Sequence, residues 1–567
     1  MAKAELSQVV KELMTKPEQI RNIGIVAHID HGKCIGGDSR LYKADGEHIK
    51  ADNLFRVAEE EGIIVRKTET ETVYDISHEN IEVFSLNKER GVMEKKPVKY
   101  AWKLKGGRVI RVKLRNGYEI KTTPEHKYIV FDGNGFVEKR AEDLKMRERI
   151  ACPRELRVNN GRNVRKLILL KLSKKGFFVT LKDSKKLKRF ILEKGREKIR
   201  EMINAEISGN SIYHAAYRGS IILRDYIDIS LHMGLNYDQI IDNIEWISYR
   251  SGTRRRGKNC GRMRFPEKLE DFYYLAGLMA GDGTGNKLVV GKEPLGRAFK
   301  AICTDMGINC AERDYEGKTK ELCTNKTMLE VLNSVFSYPK RAKSHNIEVS
   351  RLLMLSDDRP IARFISGYFD CDGTVEKSRG AISISSASMK MLQGIQMLLL
   401  RFGCISSLRG DTLYISGNSV KSFNDNIGFT LEEKSLKAYE LEKRVVGSYL
   451  LDLVPLDKGR ILELQSMVSA YKNHVRNYQR LQYEPTIGTL QKIMKDIKIQ
   501  GAIEWLARIA SGMLAYIEVD EISYGHEDAV YDFTVEDNHN FVAEGMIIHN
   551  TTLTDNLLAG AGMMSEE

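Results

Sequence analysis

The pattern of apolar and polar positions changes texture several times along the chain. Residues 1–21 place Leu6, Val9, Val10, Leu13 and Met14 on one face at helical spacing, and 22–27 (NIGIVA) read as a strand. From about 35 to 155 short alternating runs are punctuated by glycine. The clearest run, VIRVKLRNGYEIKTT at 109–123, predicts two strands folded about Asn116-Gly117. The stretch from 160 to 262 is basic and reads as mixed and then helical, with 212–219 and 224–247 suggesting a small helical DNA-binding module. Two apolar segments, LEDFYYLAGLMAGDGTG (269–285) and RPIARFISGYFDCDGTV (359–375), resemble each other and predict an internal duplication. Residues 376–445 repeat the strand-and-helix texture that follows the first copy, 446–515 read as helices with polar turns, and β texture returns from 516 to Asn550.

Composition narrows the class. Of the 567 residues, 42% are hydrophobic and 29% charged, as expected of a water-soluble multidomain protein. No apolar run is long enough to span a bilayer, and the polar N-terminus lacks a signal-peptide core, so a cytoplasmic protein without membrane partners is expected. The eight cysteines form no C-x-x-C pair, which argues against a zinc knuckle or a redox dithiol. The net charge of +12 is concentrated: residues 161–200 hold 15 Lys and Arg against 3 Asp and Glu, and TRRRGKNCGRMR at 253–264 adds to it. Charge this local favours a polyanionic partner.

The candidate chemistry starts from a severed motif. AHIDHGK at 27–33 and TTLTDNLL at 551–558 read together as A-x-x-x-x-G-K-T, a phosphate-binding loop with Ala for its first Gly. Its Lys and Thr must reach the same phosphates and the same Mg²⁺, which 517 intervening residues (34–550) forbid. Either the likeness is accidental or the insert leaves. Self-excision needs a nucleophile at the first residue of the insert, and the Cys34 thiol can attack the Lys33 carbonyl to give a thioester. Thr123 and His126, in T-P-E-H after the hairpin, are candidates to distort that peptide and to place donors on its oxyanion. Thr551 has the hydroxyl to attack the thioester. Asn550 can cyclise through its side-chain amide, with His549 and His539 as proton donors.

Together these residues resemble an intein. Cys34 matches the family's first residue, Thr123-Pro124-Glu125-His126 its T-x-x-H block, and His549-Asn550-Thr551 its terminal block. VYDFTV (530–535) with His539-Asn540-Phe541 is similar to the block before the last, which implies assisting roles for Asp532 and His539. The resemblance implies an all-β horseshoe built from both ends of the insert, and splicing without a cofactor.

The duplicated segments resemble the LAGLIDADG signature, at 275–283 and 365–373. Small residues one turn apart (Gly277 and Gly281, Gly367 and Cys371) let two helices pack closely and bring Asp282 and Asp372 together. Two such carboxylates suit Mg²⁺, and metal-activated water cleaves phosphodiesters. One copy alone would be an ordinary buried helix with an Asp at its end; two in register are harder to explain so. The resemblance implies a homing endonuclease for double-stranded DNA. Copy one has Ala280 where copy two has Asp370, and Lys343 is the candidate for the family's basic residue near the metals. The joined flanks resemble the start of a translational GTPase of the elongation factor 2 kind. That resemblance implies that Asp30, His31, Gly32 and Lys33 hold GTP phosphates and Thr551 a Mg²⁺ after splicing, with the ribosome as the full-length host's partner.

The expected architecture is multidomain: a β horseshoe split by an α/β endonuclease and flanked by α/β P-loop fragments. The expected divisions are 1–33 (host), 34–155 (splicing domain), 156–265 (basic, DNA-binding), 266–445 (endonuclease), 446–515 (helical, endonuclease-associated), 516–550 (splicing domain) and 551–567 (host), in a monomer. Two alternatives stay open: an insert that splices but whose nuclease has decayed, and a chain whose meaning lies in the GTPase of the ligated host.

Overall fold

The computed structural model describes residues 33–158, 161–203, 220–251, 258–315, 319–444, 450–467, 484–496, 505–506, 509 and 512–550. The expected helix 1–21, the strand 22–27, the loop residues Asp30, His31 and Gly32, the run 212–219 and Thr551 lie outside them. Ten elements position the functional residues: β1 (Ile35–Gly36), β2 (Val92–Leu114), β3 (Glu119–Thr122), β4 (Lys127–Phe131), β5 (Phe136–Arg140), α1 (Leu269–Asp282), α2 (Asp358–Asp372), β6 (Leu514–Val535), β7 (Asn540–Ala543) and β8 (Met546–His549).

Two hydrophobic cores organise the described chain. The first gathers apolar residues from Ile35 to Val158 and from Leu451 to Ile548, joined by Met397, Leu400 and Ile405, beneath a 14-stranded antiparallel sheet. Its frame is the pairing of β2 with β6, which runs from Val98 opposite Val535 to Leu114 opposite Val519 with a register shift near each end. Bare backbone lets these long strands approach: a Cβ on Gly106 would run into the Glu527 carbonyl. The short β1 lies between β3 and β6, with Ile35 opposite both Thr122 and Tyr531. At the other end β8 pairs with β7 and, at Ile548, with Tyr128 of β4. Segments distant in sequence thereby share one sheet.

The hairpin predicted about Asn116-Gly117 is present, with a refinement. Leu114 and Tyr118 close a three-residue loop, and Gly117 takes the left-handed conformation at φ +87°. The tip docks on the second core: the Asn116 carbonyl accepts from Leu408 N (2.8 Å) and Gln396 Nε2 (3.0 Å). A side chain at 117 would collide with the Leu408 carbonyl, so docking and turn both call for glycine.

The second core runs from Val164 to Leu441 around α1 and α2. Phe272 to Ala280 are all buried, as expected for a helix surrounded by protein. The two helices cross at glycines: a Cβ on Gly277 would strike the Phe364 carbonyl, and one on Gly367 the Tyr274 carbonyl. Each helix is followed by a four-stranded antiparallel sheet, one built from 283–323 and the other from 373–416, in the same strand order. The internal repeat is therefore a repeat of topology as well as of sequence.

Two expected groupings differ from what is found. The basic region, expected to be mixed and then helical, carries strands in its later part too: Phe178–Leu181 pairs with Ser220–Ile222 and Ile244–Ser251, which in turn pairs with Lys258–Met263. Val164, Ile168, Phe177, Val179 and Ile247 from this region join the α1–α2 core instead of closing one of their own. The described residues of 446–515, a segment expected to belong with the duplicated half, go to the other body. Among them Leu451, Ile461, Leu464, Leu490 and Ile493 enter the core under the large sheet. Periodicity identifies an apolar helix face and is silent about which core will take it.

Candidate active site

Cys34 begins the strand segment wedged between β3 and β6 and is 1% exposed, in a pocket of Val73, Trp102, Leu104, Val109 and Val530. Thr123, which follows β3, holds both of its main-chain groups. Cys34 N–H donates to Thr123 Oγ1 (3.0 Å), and Thr123 N–H donates to the Cys34 carbonyl (2.9 Å). The threonine hydroxyl oxygen therefore accepts from the nitrogen of the Lys33–Cys34 peptide, the bond that the expected first step would break. Burial, then Asp532, then Glu125 and Glu71 push the Cys34 thiol well above its ordinary pKa. The resting group is a protonated thiol, and Asp532, 1% exposed on β6, is the foremost acid beside it.

His126 sits in the turn between β3 and β4, tied by its own N–H to the Thr123 carbonyl (3.1 Å). Its ring is fully buried and neither nitrogen makes a well-aligned hydrogen bond. Burial drives its pKa down to about 3. The Lys33 backbone acts against this as an acceptor, while the charges of His549 and Lys33 add to the lowering. One imidazole thus senses both the residue before Cys34 and the residue before Asn550. The folded value lies below the usual 6.5, so this histidine contributes stability that is present above about pH 6.5 and lost as pH falls toward 3. In a Cys34→Ala, Asn550→Ala chain, the melting midpoint is expected to drop across that window, and His126→Phe to flatten part of the drop. Equal slopes in the two chains would contradict the assignment.

At the far end, Asn550 is fully buried and its N–H donates to the His539 carbonyl (3.0 Å). His539 holds a left-handed φ of 51° on the turn between β6 and β7, and its Nδ1 is buried without a hydrogen-bond partner. Asn540, opposite His549 in the β7–β8 pairing, locks this turn: its Oδ1 accepts from Leu86 N (2.6 Å) and its Nδ2 donates to the Leu86 carbonyl (2.8 Å). His549 Nε2 lies 3.2 Å from Glu138 Oε1 on β5. Sequence reasoning missed Glu138, which reaches the histidine only through the β5–β4–β8 sheet order.

The second constellation lies where α1 and α2 end. Asp282 raises the pKa of Asp372 in addition to burial, to about 6, against the opposing charges of Lys343 and Lys434. Lys343 donates to the carbonyls of Ala280 (2.8 Å) and Gly281 at the end of α1. Lys434, which sequence reasoning did not single out, does the same for α2, donating to Phe369 (2.9 Å) and Asp370 (2.7 Å). The duplication therefore extends to one lysine per helix end, half-buried at α1 and buried at α2. Asp370, where copy one has Ala280, points away into a structural role, accepting from Tyr274 Oη (2.8 Å) and Thr430 N (3.1 Å). Among the described residues no group of three or more His, Cys, Asp or Glu is gathered for a metal, and no helix is long and apolar enough to cross a membrane. The Asp282–Asp372 pair is nonetheless a charge arrangement that a divalent cation fits. The two aspartates end two helices, whose carbonyl dipoles add negative potential, and the charge of Asp282 acts on Asp372.

Comparison with known proteins adds the family. The chain is 38% identical to elongation factor 2 of Methanopyrus kandleri over 584 residues, covering all of this chain and 45% of that protein. It is 27% identical to a probable translation initiation factor IF-2 of Methanocaldococcus jannaschii (94% of this chain, 49% of that protein) and 23% identical to the reverse gyrase of that organism (80% and 28%). The chain spans about half the length of the first of these relatives, or less. Among solved structures it is similar to the TvoVMA intein (26% identity, 22% of this chain, 71% of that chain, TM-score 0.20) and the PabCDC21-1 intein (26%, 21%, 73%, 0.20). The family described as the intein splicing domain matches residues 42–550, most of the sequence and both arms of the large sheet. The chain belongs to the intein splicing family.

Proposed function

We propose that residues 34–550 excise themselves from an elongation factor 2 precursor and that their α1–α2 half is a homing endonuclease. The observation that carries the splicing reading is the fully buried His126, tied to Thr123, which in turn holds both main-chain groups of Cys34. In this reading Asp532 takes the Cys34 proton and the sulfur attacks the Lys33 carbonyl carbon. The bond from that carbon to Cys34 nitrogen breaks, and the nitrogen gains a proton. Thr123 orients the departing nitrogen through its contact with that N–H. The hydroxyl of Thr551 then takes the acyl group from sulfur, returning the Cys34 thiol, and Asn550 cyclises to free the insert and the Thr551 amine; that amine takes the acyl group from its own oxygen, forming the Lys33–Thr551 amide and restoring the hydroxyl. Joining Lys33 to Thr551 restores the phosphate loop, with Asp30 to Lys33 for GTP phosphates and Thr551 for Mg²⁺.

The nuclease reading rests on the paired Asp282 and Asp372 at glycine-crossed helices, each helix followed by its own sheet. Those two carboxylates would hold Mg²⁺, which activates water and stabilises the leaving oxygen when bound. Lys343 and Lys434 fix the helix ends that present the carboxylates. The basic 161–200 and 253–264 segments supply phosphate contacts to double-stranded DNA, so binding should weaken steeply with salt. Expression of the chain followed by electrophoresis tests splicing directly. A released 517-residue species is expected, and a single persistent band at the full 64.5 kDa would overturn the reading.

A further inference from the structure

The His549–Glu138 contact goes beyond the residues assigned so far. Glu138 stands on β5, a strand whose register with β4 (Glu138 opposite Ile129) and the pairing of β4 with β8 set it beside the penultimate residue of the insert. Its side chain is about a quarter exposed, against 8% for His549. Two lysines hold it from behind: Lys88 Nζ at 2.7 Å from Oε1 and Lys127 Nζ at 3.1 Å from Oε2. A carboxylate can only accept, so the His549 nitrogen facing it, Nε2, must carry a proton. In the neutral ring that leaves Nδ1 as the basic nitrogen, and Nδ1 is buried with no hydrogen-bond partner.

We infer that Glu138 and His549 form a carboxylate–imidazole dyad in which Glu138 is the positioning residue for Asn550 cyclisation. The inference rests on the splicing reading above and deepens it. In the step, Asn550 Nδ2 bonds to the main-chain carbonyl carbon of Asn550, and the bond from that carbon to Thr551 nitrogen breaks. Nδ2 loses one proton to His549 Nδ1, and the resulting imidazolium returns one to Thr551 nitrogen. Glu138 stabilises the imidazolium between the two transfers and fixes which nitrogen performs them. The strong lowering of the Glu138 pKa, led by its hydrogen bond with His549 and aided by Lys88, agrees with a carboxylate that stays charged throughout. The lysines confine the carboxylate and partly offset its field, and the charge of His549 also acts on His126.

The test reads the two ends of the insert separately in the full chain. With Cys34→Ala, the only scission expected is loss of the 551–567 peptide, followed by mass spectrometry. Glu138→Gln should slow that loss about 10- to 100-fold. It should also alter the rate–pH profile, because the imidazolium formed in the step loses its carboxylate. Glu138→Asp should recover part of the rate. In a chain keeping Cys34 but carrying Asn550→Ala, thiol-induced cleavage after Lys33 should stay within about twofold on adding Glu138→Gln, since that end does not use the dyad. A wild-type rate and profile for Glu138→Gln would overturn the dyad, and an equal loss at both ends would reduce Glu138 to a structural residue. If the peptide is still released from the Cys34→Ala, Asn550→Ala chain, the splicing assignment fails before the dyad is tested.

Discussion

Asn550→Ala is expected to abolish release of the insert while leaving the first chemical step intact. Alanine lacks the amide nitrogen that closes on the carbonyl, and no neighbouring group replaces an intramolecular nucleophile held in place. Removing a nucleophile costs several orders of magnitude in rate, so the free 517-residue species should fall by roughly 10³-fold or more. The substitution should fold: the main-chain bond to His539 survives, and Asn540, not Asn550, holds the turn. Cys34 and its Thr123 clamp lie on another strand, and the thioester should still form. Added thiol would then cleave the chain after Lys33, yielding residues 1–33 and the remainder. A variant that neither splices nor responds to thiol would show a folding defect. One that splices normally would remove Asn550 from the mechanism.

How much of this site the sequence shows depends on where each residue's partner lies. Cys34, Asn550 and Thr551 are legible because the severed loop fixes the boundaries of the insert, and the chemistry required there names the residue types. Asp282 and Asp372 are legible because a helix motif occurs twice. Glu138 is not, because FVEKR looks like any solvated hairpin strand and its partner is hundreds of residues away in the chain. Lys434 is hidden for another reason. It lies among Lys437, Lys443 and Arg444 in a helix of mostly polar residues, and only the packing of that helix turns one lysine inward onto α2. The large β sheet was foreseeable from alternation. The affiliation of 446–515 was not, since its helix faces are equally suited to either core.

The carboxylate pair yields an expectation in which activity and stability move in opposite directions. On duplex DNA spanning the joined codons for Lys33 and Thr551, the excised insert with Mg²⁺ should cut, and Asp282→Asn or Asp372→Asn should reduce cutting by about 10²-fold or more. Without the metal, Asp372 is a liability. Burial and Asp282 raise its folded pKa to about 6, above its unfolded value, so the stability it contributes is present below about pH 3.8 and lost as pH rises through 6. At pH 7.5 the wild-type fold therefore carries two charges that repel, which Asp372→Asn relieves. The metal-free variant should melt higher than wild type at pH 7.5, and the gap should close near pH 4. Mg²⁺ should raise the wild-type midpoint and leave the variant nearly unmoved, because binding to the folded state stabilises by mass action only where a site exists. A variant that melts lower than wild type at pH 7.5 and still gains from Mg²⁺ would mean that the carboxylates are ordinary helix ends. A variant that melts higher, cuts nothing and ignores the metal would mean that the chain keeps a strained acidic pair for the sake of the cation it binds.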